Sequence, residues 1–164
     1  MSTSVSIRRA TEADADSIAR LAGELGYAVH AKKMRSHIRT ILASAADLLI
    51  VAVDSSSVAV GWLQAHAAYI VESGFRVEIT GLIVSPASRR RGVGRSLVAH
   101  AEHWAMTVSA EAVVVRSNAK RVESHTFYPA LGYTSTKTQV VYRKPLADAS
   151  NQIDRVYPPT SFIP

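Results

Sequence analysis

The chain has 164 residues, the length of one domain, and 48% of them are hydrophobic, which is enough to build a core. Its 19 Lys and Arg against 13 Asp and Glu give a formal net charge of +6, so an anionic partner is expected. Cysteine is absent, which excludes disulfide frameworks, thiolate zinc sites and cysteine nucleophiles. The first residues lack the apolar run of a signal peptide, and no run reaches the roughly 20 residues that span a bilayer, so a cytoplasmic protein without membrane contact is expected.

The first part of the chain predicts a strand followed by two helices. Residues 5–9 are expected to form the strand, and Thr11 with Asp14 three positions later has the spacing of a capping box. Apolar residues then recur at helical spacing until Gly26, and a second stripe with the same period runs from Met34 to Ala45.

The rest of the chain alternates strands and helices. Strands are expected at 48–53, 58–70, 76–84, 112–116 and 133–143, and helices at 92–106 and 122–128. Hairpins pair strands antiparallel and a helical crossover pairs them parallel, so the sequence predicts one α/β (α+β) domain with a mixed, mostly antiparallel sheet flanked by helices. This domain takes residues 1–146. Residues 147–164, rich in Asp, Ser and Pro, are expected to form an irregular tail that lies on the surface or across a partner subunit, as in a homodimer.

The most informative segment joins the strand that ends at residues 82–84 to the next helix. The loop carries the pattern Arg89-x-x-Gly92-x-Gly94, and an apolar-periodic helix starts at once. Glycine lets backbone approach a ligand closely, and the first N–H groups of a helix have no partner within it, so the junction predicts an anion cradle. Four arginines surround it within seven residues: Arg89, Arg90, Arg91 and Arg95. Without them the chain has 15 basic and 13 acidic residues, so most of its net charge belongs to this one site.

Two common phosphate motifs do not fit this loop. No Lys-Ser/Thr follows the glycines, as the nucleoside-triphosphate loop requires, and Leu97 stands where the dinucleotide fingerprint has its third glycine. No aromatic residues are interleaved with the arginines, which disfavours a nucleic-acid partner.

The segment resembles motif A of the GNAT superfamily of acetyl-CoA-dependent N-acetyltransferases, in which Arg/Gln-x-x-Gly-x-Gly/Ala follows a strand. A downstream run, Ser124-His125-Thr126-Phe127-Tyr128-Pro129-Ala130-Leu131-Gly132-Tyr133, is similar to motif B of that family. Both motifs occur in the expected order, with a helix and a strand between them, and the resemblance covers roughly residues 5–146. It implies a single-domain GNAT-like fold.

The resemblance also implies where acetyl-CoA would bind. Leu82 and Val84, with Ile83 between them, would offer backbone groups to the pantetheine arm. The loop and the first helical turn would hold the pyrophosphate, through Arg89, Arg90, Arg91, Gly92, Val93, Gly94 and Arg95.

On the far side of the arm, the resemblance places Ser124, Phe127 and Tyr128. The position seven before the tyrosine is often Asn in the family and is Arg121 here, while Asn118 stands nearby. Which of the two reaches the cofactor stays open at this stage.

Acetyl transfer to an amine needs a neutral nitrogen, a polarised thioester carbonyl and a proton for the departing thiolate. Tyr128 is the candidate acid, because a tyrosine is still protonated at pH 7; the alternative is that it only packs. Glu78 is the candidate base acting through water. It alternates along its strand with Thr80 and Leu82, so the three are expected to share a face, and the alternative is a solvated or salt-bridged glutamate. Backbone N–H groups around Val84 are expected to polarise the carbonyl.

The acceptor site leaves a weaker signal. Tyr27 and residues 64–75 are expected to form it, and His66 could face it, although a lone strand histidine is more often a packing or surface residue. The six histidines show no ligand pattern with carboxylates, so no metal is expected.

The sequence therefore predicts an acetyl-CoA-dependent N-acetyltransferase that moves the acetyl group directly to a primary amine of a small molecule. Similar runs at 121–128 and 137–146 lie in members grouped near the aminoglycoside-type enzymes. A cationic aminoglycoside would favour an acidic pocket, yet the acidic residues between Gly26 and Arg76 are only Asp47, Asp54 and Glu72. The alternatives are acetylation of a protein lysine or N-terminus, and a non-catalytic acyl-CoA-binding regulatory domain.

Overall fold

The computed structural model describes residues 5–24, 26–27 and 29–146. In chain order its elements are β1 (Ser6–Arg9), α1 (Ala15–Glu24), α2 (Ala31–Leu42), β2 (Asp47–Val53), β3 (Ala59–Ile70), β4 (Gly74–Val84), α3 (Val93–Thr107), β5 (Ala112–Val115) and α4 (Val122–Phe127). The tail expected at 147–164 lies outside the described residues. No helix in the described part is long and apolar enough to cross a bilayer.

One sheet runs through the domain in the order β1-β2-β3-β4-β5. The first four strands pair antiparallel in chain order, β1 and β2 being joined through α1 and α2, and β5 pairs parallel to β4. The parallel pair follows from α3, which carries the chain back across the sheet between these two strands. The mixed, mostly antiparallel sheet flanked by helices is therefore confirmed.

Helices cover the two faces of the sheet. α3 packs on one face through Leu97, Val98 and Ala101 against alternate residues of β2, β3 and β4. On the other face α1 and α2 pack through Ile18 and Ile38 against the opposite set of β2 side chains. On the face covered by α1 and α2, the two helices leave the end of β3 and the start of β4 uncovered, and this part of the sheet can form a site.

The start of the first helical segment agrees with the capping-box prediction. The backbone N–H of Thr11 donates to Oδ2 of Asp14 at 2.8 Å, and Asp14 also forms an ion pair with Arg8 at 2.8 Å. Burial opposes the charged form of this carboxyl, but its hydrogen bonds with Arg8 and Thr11 lower the pKa of Asp14 below its ordinary value.

A β-bulge changes which way the end of β4 faces. Ala65 pairs with Ile79 while its neighbour Gln64 pairs with Gly81, so Thr80 is an extra residue on β4. Val77 and Ile79 face α3 before the bulge, and Leu82 packs in the same cluster after it. The expectation that Glu78 and Leu82 share a face is wrong, because the extra residue reverses the alternation.

The strand expected at 133–143 is also not formed. The structure gives no regular element after Leu131 in the described part of the chain. Three side chains of the segment are largely exposed: Val140 at 75%, Val141 at 72% and Tyr142 at 90%. A β-prone sequence becomes a strand only where another edge pairs with it, and here none of the described strands does so.

Candidate active site

The edge of β4 opens beside β5. β5 pairs only with Arg76 to Ile79, so within the described residues the stretch from Thr80 to Val84 has no ladder partner on that side. We call the gap that opens between β4 and β5 beyond Ile79 the wedge. On that side the last residues of β4 have no strand partner in the described chain, and they lead to the start of α3. Such an edge can pair with an extended ligand as with another strand.

The loop that follows β4 turns sharply before α3. Arg90 and Gly92 both have left-handed backbones, with φ of 58° and 81°. Nε of Arg89 donates to the carbonyl oxygen of Val84 at 3.1 Å, which ties the loop back to the strand. All four arginines of the loop and first turn are exposed. Their charge therefore faces solvent, where a polyanion could approach.

The N-terminus of α3 has the form of an anion cradle. Gly92 is the N-cap, and the first helical bond runs from the N–H of Ser96 to the carbonyl of Gly92. The N–H groups of Val93, Gly94 and Arg95 therefore have no partner within the helix. A Cβ at Gly92 would meet nothing within 4 Å, so the space beside the cradle is open. Backbone donors, the helix dipole and four arginines together fit a pyrophosphate.

The two sequence motifs meet at Gly94. A Cβ built on Gly94 would lie 3.2 Å from Cζ of Phe127 and 3.8 Å from Cγ2 of Val84. Only a residue without a side chain lets α4 approach the first turn of α3 and the end of β4 this closely. The structure thus brings Val84, Gly94 and Phe127 together at the mouth of the wedge.

Tyr128 lies directly after α4 beside these residues. Its ring contacts the rings of Phe127 and Tyr133 edge-on, at centroid distances of 5.0 and 5.7 Å. Burial raises the pKa of Tyr128 and the nearby Arg121 charge opposes that shift, so the hydroxyl stays protonated near neutral pH. The α-helix ends at Phe127, one residue earlier than predicted, and Tyr128, the residue before Pro129, keeps right-handed helical angles.

The start of α4 bears on the choice between Asn118 and Arg121. Oδ1 of Asn118 accepts a hydrogen bond from the backbone of Lys120 at 2.9 Å, and its carbonyl accepts one from Arg121. Asn118 is thus used in its own turn, whereas Arg121 lies near the Tyr128 hydroxyl. Ser124 occupies the middle of α4, one turn before Tyr128.

A second feature, which we call the strand pocket, lies on the sheet face opposite α3. It has a volume of about 420 Å³ and is lined by Asp47, Gln64, His66, Ala68, Ile70, Arg76, Glu78 and Thr80. Glu78 forms ion pairs of 3.3 Å with Arg76 and with Arg116, which follows β5. The salt-bridged alternative for Glu78 is therefore present, within a concave site.

The expected residues thus fall into two groups. The candidate cofactor residues gather around the start of α3, while Glu78 lies in the strand pocket with residues from the expected range 64–75. The side chains of Ile83 and Val93 are buried in the core, so only their backbones can reach a ligand. Sequence reasoning missed Arg76 and Arg116 and did not connect Asp47 with His66, because these contacts depend on cross-strand register.

Comparison with known families and proteins gives one consistent result. Residues 15–133 match the sequence profile described as Acetyltransferase (GNAT) family. The aminoglycoside N(6')-acetyltransferase type 1 of Stenotrophomonas maltophilia is 27% identical over 144 residues, which are 85% of this chain and 93% of that protein.

Solved structures share the fold across nearly their whole length. The apo aminoglycoside 6'-N-acetyltransferase AAC(6')-IG of Acinetobacter haemolyticus is 26% identical, with a TM-score of 0.73 over 86% of this chain and 99% of that one. AAC(6')-Iy in complex with a CoA-S-monomethyl-acetylneamine bisubstrate analogue is 21% identical, with a TM-score of 0.77 over 88% and 100%. A transcriptional regulator of Bacillus halodurans is 23% identical, with a TM-score of 0.75 over 86% and 100%.

Proposed function

Since this chain belongs to the GNAT acetyltransferase family, whose donor is acetyl-CoA, we propose that it transfers the acetyl group directly to a primary amine of a small molecule. The contact of Gly94 with Phe127 and Val84 carries this proposal, because it joins the anion cradle, the open β4 edge and Tyr128 into one continuous surface. A direct transfer is favoured because the chain has no cysteine to hold an acetyl group.

The donor would lie along the opened edge of β4. The backbones of Leu82, Ile83 and Val84 would pair with its pantetheine arm, and the cradle would hold its pyrophosphate through residues 89–95. Ser124 and Phe127 would cover the arm from α4. Arg121 is proposed, over Asn118, as the further contact, because Asn118 already serves its own turn.

Bound acetyl-CoA would supply an activated acetyl group as a thioester. Tyr128 is proposed to donate its hydroxyl proton to the departing sulfur, and its raised pKa keeps that proton in place until it is needed. Backbone N–H groups near Val84 would polarise the carbonyl. Glu78, the carboxylate expected to act as base, is proposed to hold and orient the ammonium form of the acceptor.

The charges of the strand pocket favour an acceptor with few positive charges. Both carboxylates in its lining already have basic partners: Asp47 is hydrogen-bonded to His66, and Glu78 is paired with Arg76 and Arg116. A polycationic aminoglycoside would compete with these partners for the same carboxylates. We therefore propose a small monoamine over an aminoglycoside, although aminoglycosides give the curated relative its name.

A thiol-release assay with an amine panel tests the proposed function. With acetyl-CoA present, we expect release with glucosamine or ethanolamine to exceed release with neamine and spermidine at equal concentration. Thermal shift with CoA is measured on the same sample. Stabilisation by CoA without thiol release on any amine, including a lysine-bearing peptide, would instead support a regulatory acyl-CoA-binding domain.

We also propose that the chain forms a homodimer through the exposed segment 134–146. The outer edge of β5 has no ladder partner among the described strands, and residues 134–142, which are exposed and have a strand-forming composition, belong to none of those strands. Each copy therefore offers a β5 edge and a strand-prone segment, which two copies related by a two-fold axis would pair with each other.

Engineered cysteines test this arrangement without background, since the native chain has none. Chains carrying Ala112→Cys on β5 are mixed with chains carrying Thr136→Cys, Thr138→Cys or Val140→Cys and are oxidised. At least one mixture should give a disulfide between copies, and light scattering should give twice the monomer mass. The corresponding double variant carries both cysteines in one chain. If its disulfide forms only within that chain, the proposed pairing between two copies is refuted.

A further inference from the structure

Three polar side chains form a straight row across the strand pocket. Asp47 on β2 lies directly opposite His66 on β3, and His66 lies directly opposite Glu78 on β4. All three line the pocket. Residues paired across neighbouring strands have Cβ atoms about 4.5–5.5 Å apart, so the row is close enough to pass a proton directly or through one water.

The imidazole of His66 faces the pocket rather than the core. Its neighbours Ala65 and Ala67 pack towards α3, and alternation along β3 turns His66 to the opposite face. Its side chain is 45% exposed, whereas that of Asp47 is only 15% exposed. The carboxylate is thus the anchored member of the pair and the imidazole is the accessible one.

The hydrogen bond between them fixes the tautomer of the neutral imidazole. Nδ1 of His66 lies 3.0 Å from Oδ1 of Asp47. An ionised carboxylate only accepts hydrogen bonds, so Nδ1 must be the donor. The lone pair of neutral His66 is therefore on Nε2, the nitrogen that is left to accept a proton in the pocket.

Glu78 is less suited to removing a proton than its position indicates. Two guanidinium groups, those of Arg76 and Arg116, lie 3.3 Å from its two oxygens. A carboxylate held in this way can still orient an ammonium group by hydrogen bonding, but both of its oxygens already have donors and it is the poorer site for a transferred proton. Asp47, Arg76, Glu78 and, through Glu78, Arg116 are the charged groups that face His66 in the described lining.

We propose that His66, oriented by Asp47, is the main proton acceptor for the acceptor amine, while Glu78 attracts and positions its ammonium form; this rests on the proposed acetyltransferase function. Nε2 of His66 takes one proton from the ammonium. The freed nitrogen forms the C–N bond as the C–S bond breaks and gives up its second proton to water, and the thiolate takes the Tyr128 proton. His66 then releases its proton to water, from which Tyr128 regains one.

The tautomer can be tested without turnover. In ¹⁵N-labelled protein at pH 8, we expect the His66 ring to carry its hydrogen on Nδ1, and Asp47→Asn to weaken that preference. His66→Gln identifies the signal by its loss. A wild-type His66 ring with its hydrogen on Nε2 would overturn the proposed orientation.

The pH dependence of thiol release tests the catalytic role. With the best amine of the panel, the wild-type kcat/KM should fall as the solution is made acidic, because a protonated imidazole cannot accept a proton. His66→Gln should lower kcat/KM by about 100-fold, the lower range for a general base, and should remove that acid limb. Glu78→Gln should raise KM and keep the limb. His103→Gln, on exposed α3 surface, is the matched control and should change neither.

The two proposals fail differently. A His66→Gln variant that binds CoA normally, loses less than threefold in kcat/KM and keeps the acid limb would refute the role of His66 while leaving the acetyltransferase function standing. Wild-type protein that releases no thiol with any amine at any pH would overturn the acetyltransferase function, and the catalytic role of His66 with it.

Discussion

Replacing Gly92 with aspartate is expected to abolish acetyl-CoA binding while the protein stays folded. Gly92 is the N-cap of α3, and a side chain there would begin in open space at the helix N-terminus, where the pyrophosphate is proposed to bind. A carboxylate at that point opposes the phosphate charge. One pair of charges 4 Å apart near a protein surface is worth about 4 kcal/mol, which corresponds to a loss of affinity of more than about 100-fold.

The matched control is Gly92→Asn, which has the same shape as aspartate without its charge. Any side chain here must adopt φ near +81°, a strain of roughly 1–2 kcal/mol that asparagine tolerates better than most residues. Both variants should therefore lose similar thermal stability. Calorimetric titration with CoA should show Asn within about tenfold of wild type. Equal CoA affinity in the two variants would mean that the pyrophosphate lies elsewhere.

Local signals in the sequence were sufficient for most of the fold. The Thr11 and Asp14 pair marks a helix start because both side chains act within one turn, and the apolar stripe of α2 recurs with a period that only a helix satisfies. The loop between β4 and α3 could also be predicted from local signals in the sequence. Its glycines and arginines are contiguous in the chain, so the cradle needs no distant partner to form.

Features that depend on two strands at once could not be predicted in the same way. The bulge at Thr80 has only one local sign, the neighbouring Gly81, because its position is defined by the residue count of β4 relative to β3. That one extra residue turned Leu82 away from the face of Glu78. The row of Asp47, His66 and Glu78 likewise depends on the alignment of three strands, so the sequence did not indicate that these three residues lie side by side.

The segment after Tyr133 shows the limit of propensity. Its valines, threonines and tyrosine favour a strand, yet a strand is stable only when its backbone groups are paired. In the described chain no neighbour supplies that pairing, and the residues stay exposed without forming a strand. Composition alone therefore gave a wrong prediction here, because it reports a preference for strand geometry and not whether a pairing edge is present.

Replacing Tyr128 with phenylalanine is expected to slow turnover about 100-fold, the lower range for loss of a general acid, with acetyl-CoA affinity nearly unchanged. The variant keeps the ring that contacts Phe127 and Tyr133 and removes only the hydroxyl. Because burial raises the pKa of Tyr128, the wild-type rate should show no loss from its ionisation at neutral or mildly alkaline pH. Stopped-flow thiol release at saturating donor and amine, with CoA titration alongside, measures both quantities.

Tyr133→Phe is the matched control, because it removes a hydroxyl from the neighbouring ring, whose centroid is 5.7 Å from that of Tyr128. The pKa of Tyr133 is also raised, by burial and by the Glu102 carboxylate, so both hydroxyls are protonated at neutral pH and differ only in position. The control should keep kcat within about threefold of wild type. Equal losses in the two variants would indicate that the aromatic cluster only packs, whereas a loss confined to Tyr128 would place the donated proton at the mouth of the wedge, beside Gly94 and Val84.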